Sequence, residues 1–304
     1  MIKRTIYFGN PCYLSKKESQ LKLEYPDDDV ADKSIPIEDI GVVVIDHRQI
    51  TITHSLINTL MENNAAVITC DDAHLPQGLM LPLHSHSAYV EKLYAQLEAS
   101  APLNKNLWQQ TVKAKIRNQG MFLHNKGRKA DKMGYWMRSV RSGDPDNYEG
   151  RAAAYYWEQW FDILEVETTR GRFEEPPNNL LNYGYAVLRA VVARSLVGSG
   201  MLPAVGIHHR NKYNAYCLAD DIMEPYRPYV DQLVFQIVQE ESDIEELNPA
   251  LKKRLLEIPT LDVIIDGQQS PLMVATQRTS ASLMQCFEKL SRKIHYPHMQ
   301  NEQV

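Results

Sequence analysis

Two histidines, three acids and an arginine crowd one stretch of the chain: Gly206–Ile207–His208–His209, then Asp220, Asp221, Glu224 and Arg227. Brought together inside a protein, such groups repel one another unless a cation offsets the acids. Asp220 and Asp221 precede Glu224 by four and three residues, so a helix would turn all three carboxylates to one face. A divalent ion is the simplest partner for that face. One helix rarely supplies a whole set of ligands, and Glu149, in Asn147–Tyr148–Glu149–Gly150–Arg151, is the best outside candidate. Imidazole beside carboxylates suits Mn2+ and tolerates Mg2+ better than it suits Ca2+. Each residue also has a plainer use. A histidine at a helix edge is most often a hydrogen-bonded structural group, Glu149 could complement a helix dipole, and Arg227 could pair with Asp231 or instead orient a carboxylate or phosphate.

Two kinds of element must position these side chains. From Arg4 to Asp72 the pattern is strand-like: Thr5–Phe8, Cys12–Leu14, Gln20–Tyr25, Gly41–Asp46, Gln49–Thr53 and Ala65–Cys70, with one helical segment at Ser55–Asn63. Pro76, Gly78 and Pro82 break up Asp71–Ser87, which puts a boundary near residue 85. Helical spacing dominates beyond it, at Ala88–Glu98, Leu103–Leu123, Gly127–Val140, Tyr148–Leu164, Leu180–Val197, Leu218–Glu241 and Pro249–Ile258. A hairpin of Leu261–Ile265 with Leu272–Thr276 and a last helix at Ser280–Ile294, N-capped by Thr279, complete the expectation. The fold class is therefore α+β: a small N-terminal β-rich domain, residues 1–85, then a larger, mostly α-helical catalytic domain, residues 86–304.

Composition narrows the partners. The chain has 304 residues, 44% hydrophobic and 23% charged, ordinary for a soluble protein. Its four cysteines form no CxxC pair, which argues against a disulfide framework or a thiolate zinc site. No apolar run reaches the roughly 18 residues of a membrane span, so a cytoplasmic protein is expected. The net charge of −5 hides a basic stretch between Lys105 and Arg141 in which Asp131 is the only acid. Lys113, Lys115, Arg117, Lys126, Arg128 and Lys129 in it could grip DNA phosphates, or could form a solvated helix face that balances acidic segments elsewhere.

Four ordered blocks carry a resemblance. They are Asn147–Tyr155 around Glu149, Arg172 through Pro176–Pro177–Asn178–Asn179 to Tyr185, Gly200–Pro203 leading to Gly206–His209, and Asp221–Arg227. Together they resemble the signature blocks of the CRISPR-associated adaptation endonuclease, the integrase subunit that acquires new spacers, most closely in the branch found with single-protein RNA-guided effectors. Asn178–Asn179 departs from the family wording, which usually has an acid there. The resemblance implies metal ligands at Glu149, His209 and Glu224 for Mg2+ or Mn2+, with Asp221 as a possible helper. His209 is preferred to His208 because the family's histidine closes a Gly-x-x-His block. It also implies double-stranded DNA substrates (protospacer and CRISPR repeat), a homodimer associating through its β-rich part, a larger complex with a second, smaller CRISPR-associated adaptation protein, and contact with the RNA-guided effector. Two readings compete with integration: a metal-dependent nuclease that cuts branched or single-stranded nucleic acid, and a DNA-binding scaffold without catalysis.

Overall fold

The computed structural model describes residues 3–27, 31–84, 86–171 and 175–302. Its N-terminal part contains β1 (Arg4–Phe8), β2 (Cys12–Lys17), β3 (Gln20–Glu24), β4 (Lys33–Pro36), β5 (Ile40–Ile45), β6 (Ile50–Ile52), α1 (His54–Glu62), β7 (Ala66–Cys70) and β8 (Pro76–Met80). One sheet runs in the order β1-β5-β7-β8, with β1, β5 and β7 parallel and β8 antiparallel at the edge. A second runs in the order β4-β3-β2-β6. Strands β4 and β8 were not legible as strands. Pro76 reads as a breaker, yet an edge strand tolerates it because one side of its backbone needs no ladder partner.

The valine run of β5 explains how the two parts of the chain join. Val42, Val43 and Val44 are all fully buried, and successive side chains of a strand point to opposite faces. Val42 and Val44 enter the large helical core, whereas Val43 and Ile40 pack with Leu14, Leu21, Leu56 and Leu60 in a smaller core under α1. A parallel strand covered on both faces reads as an unbroken apolar run for this reason. Buried polar contacts reinforce the junction. Across the junction Arg194 Nε, from the helical part, donates to the Asn64 carbonyl (2.5 Å); within the β-rich part Lys3 Nζ donates to the Asn63 carbonyl (2.8 Å), so two cations meet the C-terminal end of α1 where its dipole favours them.

The boundary expected near residue 85 falls on Ser85, which lies outside the described residues. Beyond it come α2 (Tyr89–Leu97), α3 (Ala101–Asn125), α4 (Asp131–Ser139), α5 (Tyr148–Leu164), α6 (Asn178–Gly198), α7 (Cys217–Met223), α8 (Arg227–Glu240), α9 (Pro249–Leu255), β9 (Asp262–Ile265), β10 (Gln268–Pro271) and α10 (Leu272–Phe287). Helix α6 is buried along most of its length and forms the hub of the helical core. The small β-rich region followed by a mostly helical domain is the α+β architecture the sequence implied.

Two local expectations are corrected. Leu218–Glu241 is not one helix: a tight 3-10 turn at Glu224–Tyr226 separates α7 from α8, because Pro225 and Pro228 lack the N–H a continuous helix needs. The C-terminal hairpin pairs Ile265 with Gln268 across Asp266–Gly267, both at positive φ, so Gln268–Pro271 takes the strand role. Leu272 then starts α10, and Thr279 is a buried mid-helix residue rather than a cap.

Candidate active site

Helix α5 starts at a turn built for its N-terminus. Asp144 accepts hydrogen bonds from the N–H groups of Tyr148 (3.0 Å) and Glu149 (2.9 Å), and Asn147, at positive φ, accepts from Gly150 (3.2 Å). These caps satisfy donors that a helix start leaves free. Glu149 therefore needs no capping role, and its carboxylate leaves the helix for another partner.

That partner is Lys115. Its ammonium donates to Glu149 Oε1 and lies 2.5 Å from Glu224 Oε2, linking acids from α5 and from the turn after α7. Lys115 and Glu224 are both buried, while Glu149 keeps part of its surface exposed. On the other side, Arg227 Nε sits 2.9 Å from Glu224 Oε1, and its guanidinium lies 4.5 Å from the centre of the Tyr185 ring. Glu224 Oε2 meets no donor in good hydrogen-bond geometry, so charge alone compensates it. Burial pushes the Glu224 carboxyl up, but the charges of Arg227 and Lys115 outweigh it and hold it below the usual range. Burial likewise pulls Lys115 down, and the charges of Glu224 and Glu149 more than restore it.

Asp221 shapes the histidine loop. Its fully buried carboxylate accepts the His208 N–H (2.9 Å) and the His209 N–H (3.3 Å) and lies 2.5 Å from His209 Nδ1. Gly206 is required for this wrap, because a Cβ there would come within 2.4 Å of the His209 carbonyl and 2.8 Å of Asp221 Oδ2. With Nδ1 turned to Asp221, the ring presents Nε2 elsewhere, the arrangement in which a carboxylate orients an imidazole ligand. The Asp221 contact raises the His209 pKa against the opposing effect of burial, and the charges of His209 and Glu224 each act on the other. His208 is held differently: it stacks on Trp108 with ring centres 4.1 Å apart and planes 2° from parallel. Burial, then the charge of His209, keeps its pKa low.

Glu149, His209 and Glu224 thus come from three parts of the chain into one neighbourhood. Asp220 leaves it. Its carboxylate pairs with Arg189 (2.7 Å) and accepts from Asn214 (2.7 Å), so the three acids do not share a face as expected. Arg227 binds Glu224, not Asp231. Asp231 is buried and accepts from Tyr156 Oη (2.9 Å) and Tyr185 Oη (2.5 Å); burial raises its pKa to about 7, against the lowering effect of both hydroxyls. A carboxyl raised in the folded state stabilises fully below its ordinary pKa and loses that contribution as pH climbs through the folded value. Between pH 5 and pH 8 the native chain is therefore expected to lose about 2–3 kcal/mol relative to Asp231→Asn, as read by urea unfolding at both pH values. Parallel pH profiles would contradict it.

Among the described residues no three His, Cys, Asp or Glu side chains are already drawn into a closed metal shell. The donors nevertheless suit a hard divalent ion: two carboxylates, one of them with a buried oxygen lacking a hydrogen-bond donor, and one imidazole whose Nδ1 is turned to Asp221. What stands between the two carboxylates is the Lys115 ammonium.

Lys115, expected among the DNA-gripping cations, is buried at this centre instead. Its position was legible: Trp108, Val112, Lys115, Ile116, Gln119 and Phe122 share one stripe of α3, and all are buried. Other members of the basic stretch are engaged as well. Lys126 lies 5.0 Å from the centre of the Phe235 ring, Arg128 pairs with Asp162 (2.6 Å), and Arg117 donates to the Pro297 carbonyl (3.0 Å). Lys113 and Arg117 line a concavity with Arg138, Lys293, His295 and His298, a basic surface that sequence spacing did not assemble. Lys129 is exposed.

Residues 6–248 match the model of a family described as CRISPR associated protein Cas1. The CRISPR-associated endonuclease Cas1 of Neisseria meningitidis serogroup C is 35% identical over 284 residues, covering 93% of this chain and 91% of the relative. The chain belongs to the Cas1 family. That membership is the one its four blocks implied. Solved structures share the Cas1 fold at low identity. A casposase bound to integration product superposes with TM-score 0.81 at 18% identity, covering 100% of this chain and 96% of that one. A chain of a Cas6-RT-Cas1–Cas2 complex gives 0.72 at 18% identity, covering 96% of this chain and 35% of that one.

Proposed function

We propose that this Cas1 chain joins the 3′-hydroxyl ends of a short DNA duplex to a CRISPR repeat by phosphodiester transesterification, at a centre where Glu149, His209 and Glu224 hold Mg2+ or Mn2+. The observation that carries this reading is the meeting of Glu149 and Glu224 at Lys115, beside an imidazole locked by Asp221. When bound, the ion supplies Lewis-acid polarisation of the scissile phosphate and eases ionisation of the attacking hydroxyl. Asp221 keeps His209 Nδ1 occupied, so Nε2 would be the atom left to hold the ion. Arg227 fixes the second oxygen of Glu224 and prevents the carboxylate from turning away. His208, neutral and stacked on Trp108, walls the site rather than binding the ion.

The similar casposase is bound to an integration product, which supports joining over cleavage alone, and the similar fold in a Cas6-RT-Cas1–Cas2 complex supports an assembly with a second small protein. One chain carries one such centre, and a duplex has two 3′ ends, so a homodimer with the outer strands β4 and β8 as candidate contact edges fits the task. A family branch that works with an RNA-guided effector adds that effector as a further partner. The DNA target places the work in the cytoplasm; among the described residues no helix is long and apolar enough to cross a membrane. The joining assay that tests the reading uses labelled duplex, repeat DNA and Mn2+: joined products support integration, cleavage alone supports a nuclease, and neither supports a scaffold.

The basic concavity is the proposed DNA track. Replacing Lys113, Arg138 and Lys293 together by glutamine is expected to lower the slope of log affinity against log salt by about 2–3, since each phosphate contact on duplex DNA contributes roughly 0.9. Fluorescence anisotropy across a salt series reads the slope. An unchanged slope would return these residues to an ordinary solvated face.

A further inference from the structure

Lys115 is an odd residue to find where it is. It leaves the middle of α3 on the stripe that carries Trp108, Val112 and Phe122, and its side chain is only 9% exposed. A lysine sent inward from an apolar face is costly unless acids receive it. Here Glu149 and Glu224 both do, and its ammonium occupies the gap between their carboxylates.

We propose that Lys115 is a built-in competitor of the divalent ion: its ammonium holds Glu149 and Glu224 together while the centre carries no metal, and must leave that gap before an ion can bridge them. This rests on the reading of Glu149, His209 and Glu224 as the metal centre. One gap cannot hold both a monovalent ammonium and a divalent ion, because their repulsion at such separations in a buried site is large. The two cations around Glu224 are built for different tasks. Arg227 is a planar group held against Tyr185 and stays on Oε1. Lys115 is a point charge on a flexible stem, the kind of group that can swing away. The consequence is that the free protein keeps its two acids preorganised and neutralised, at the expense of metal affinity.

Mn2+ binding to the purified protein without DNA, followed by the electron paramagnetic resonance signal of free Mn2+, tests this. Lys115→Met is expected to bind Mn2+ about tenfold tighter than the unaltered chain, because the competitor is gone. Its metal-free form should also melt at lower temperature and gain more from added Mn2+. Lys115→Gln serves as a second neutral variant should Met not fold there, with the same expected tightening. Lys115→Arg, which keeps the charge, should bind no tighter. Equal or weaker binding by the neutral variants, while Glu224→Gln abolishes binding in the unaltered chain, would overturn the role of Lys115 and leave the metal centre standing. Mn2+ binding unaffected by Glu224→Gln would overturn the metal centre and this inference with it.

Discussion

Replacing any one of Glu149, His209 or Glu224 is expected to lower DNA joining by a factor of about 10³ or more, because each substitution would delete a donor from the proposed shared centre. The three variants are not equal in other respects. Glu224→Ala also strands the charges of Lys115 and Arg227 in a buried place, so Glu224→Gln is the better test of chemistry at constant volume. Glu149 sits at the rim, partly exposed, and because Glu224 still receives Lys115, Glu149→Gln should cost less stability than Glu224→Gln. His208→Ala, which removes a ring stacked on Trp108, should lower joining far less than His209→Ala. Gel-resolved joining kinetics on folded variants decide the matter. A joining-competent His209→Ala beside a dead His208→Ala would move the ligand role to the neighbour.

The largest effect on stability is expected away from the site, at Asp46. Its buried carboxylate accepts from Tyr7 Oη (2.6 Å) and Lys252 Nζ (2.8 Å) and pairs with His74 Nδ1 (2.8 Å). Lys252 lies on α9, so this knot ties the end of β5 to the helical domain. Burial pushes the Asp46 carboxyl up, but Lys252, Tyr7 and His74 outweigh it and hold it low. Asp46→Ala leaves Lys252 buried without an acid and is expected to cost about 3–5 kcal/mol in urea unfolding. Pairing it with Lys252→Met should recover a large part of that loss, since the stranded charge disappears. If the double variant is as unstable as the sum of the singles, the ion pair is not the source of the effect.

How far such features could be read from sequence depends on whether their cause is local. The valines of β5 and the periodic helices announce themselves, because strand and helix periods write burial directly into residue order. Glu149, His209 and Glu224 were nameable from their blocks, and the caps at Asp144 and Asn147 lie within a few residues of what they serve. Lys115 was misread because charge was counted along the chain; its stripe partners Trp108, Val112 and Phe122 would have placed it inside. Asp220 was grouped with Asp221 by spacing alone, and only the fold reveals Arg189 waiting for it. The break between α7 and α8 was signalled by Pro225 and Pro228 and overridden by the apolar run around them. The knot at Asp46 joins residues 206 apart, and no local pattern marks a pairing of that range.

The centre itself can be observed without turnover. Electron spin-echo modulation of Mn2+ bound to the protein reports a nitrogen nucleus coordinated directly to the ion. A nitrogen coupling is expected in the unaltered chain, retained in His208→Gln and lost in His209→Gln, with binding itself lost in Glu224→Gln. Absence of any nitrogen coupling, or a coupling that survives His209→Gln and vanishes in His208→Gln, would contradict a metal centre built from Glu149, His209 and Glu224.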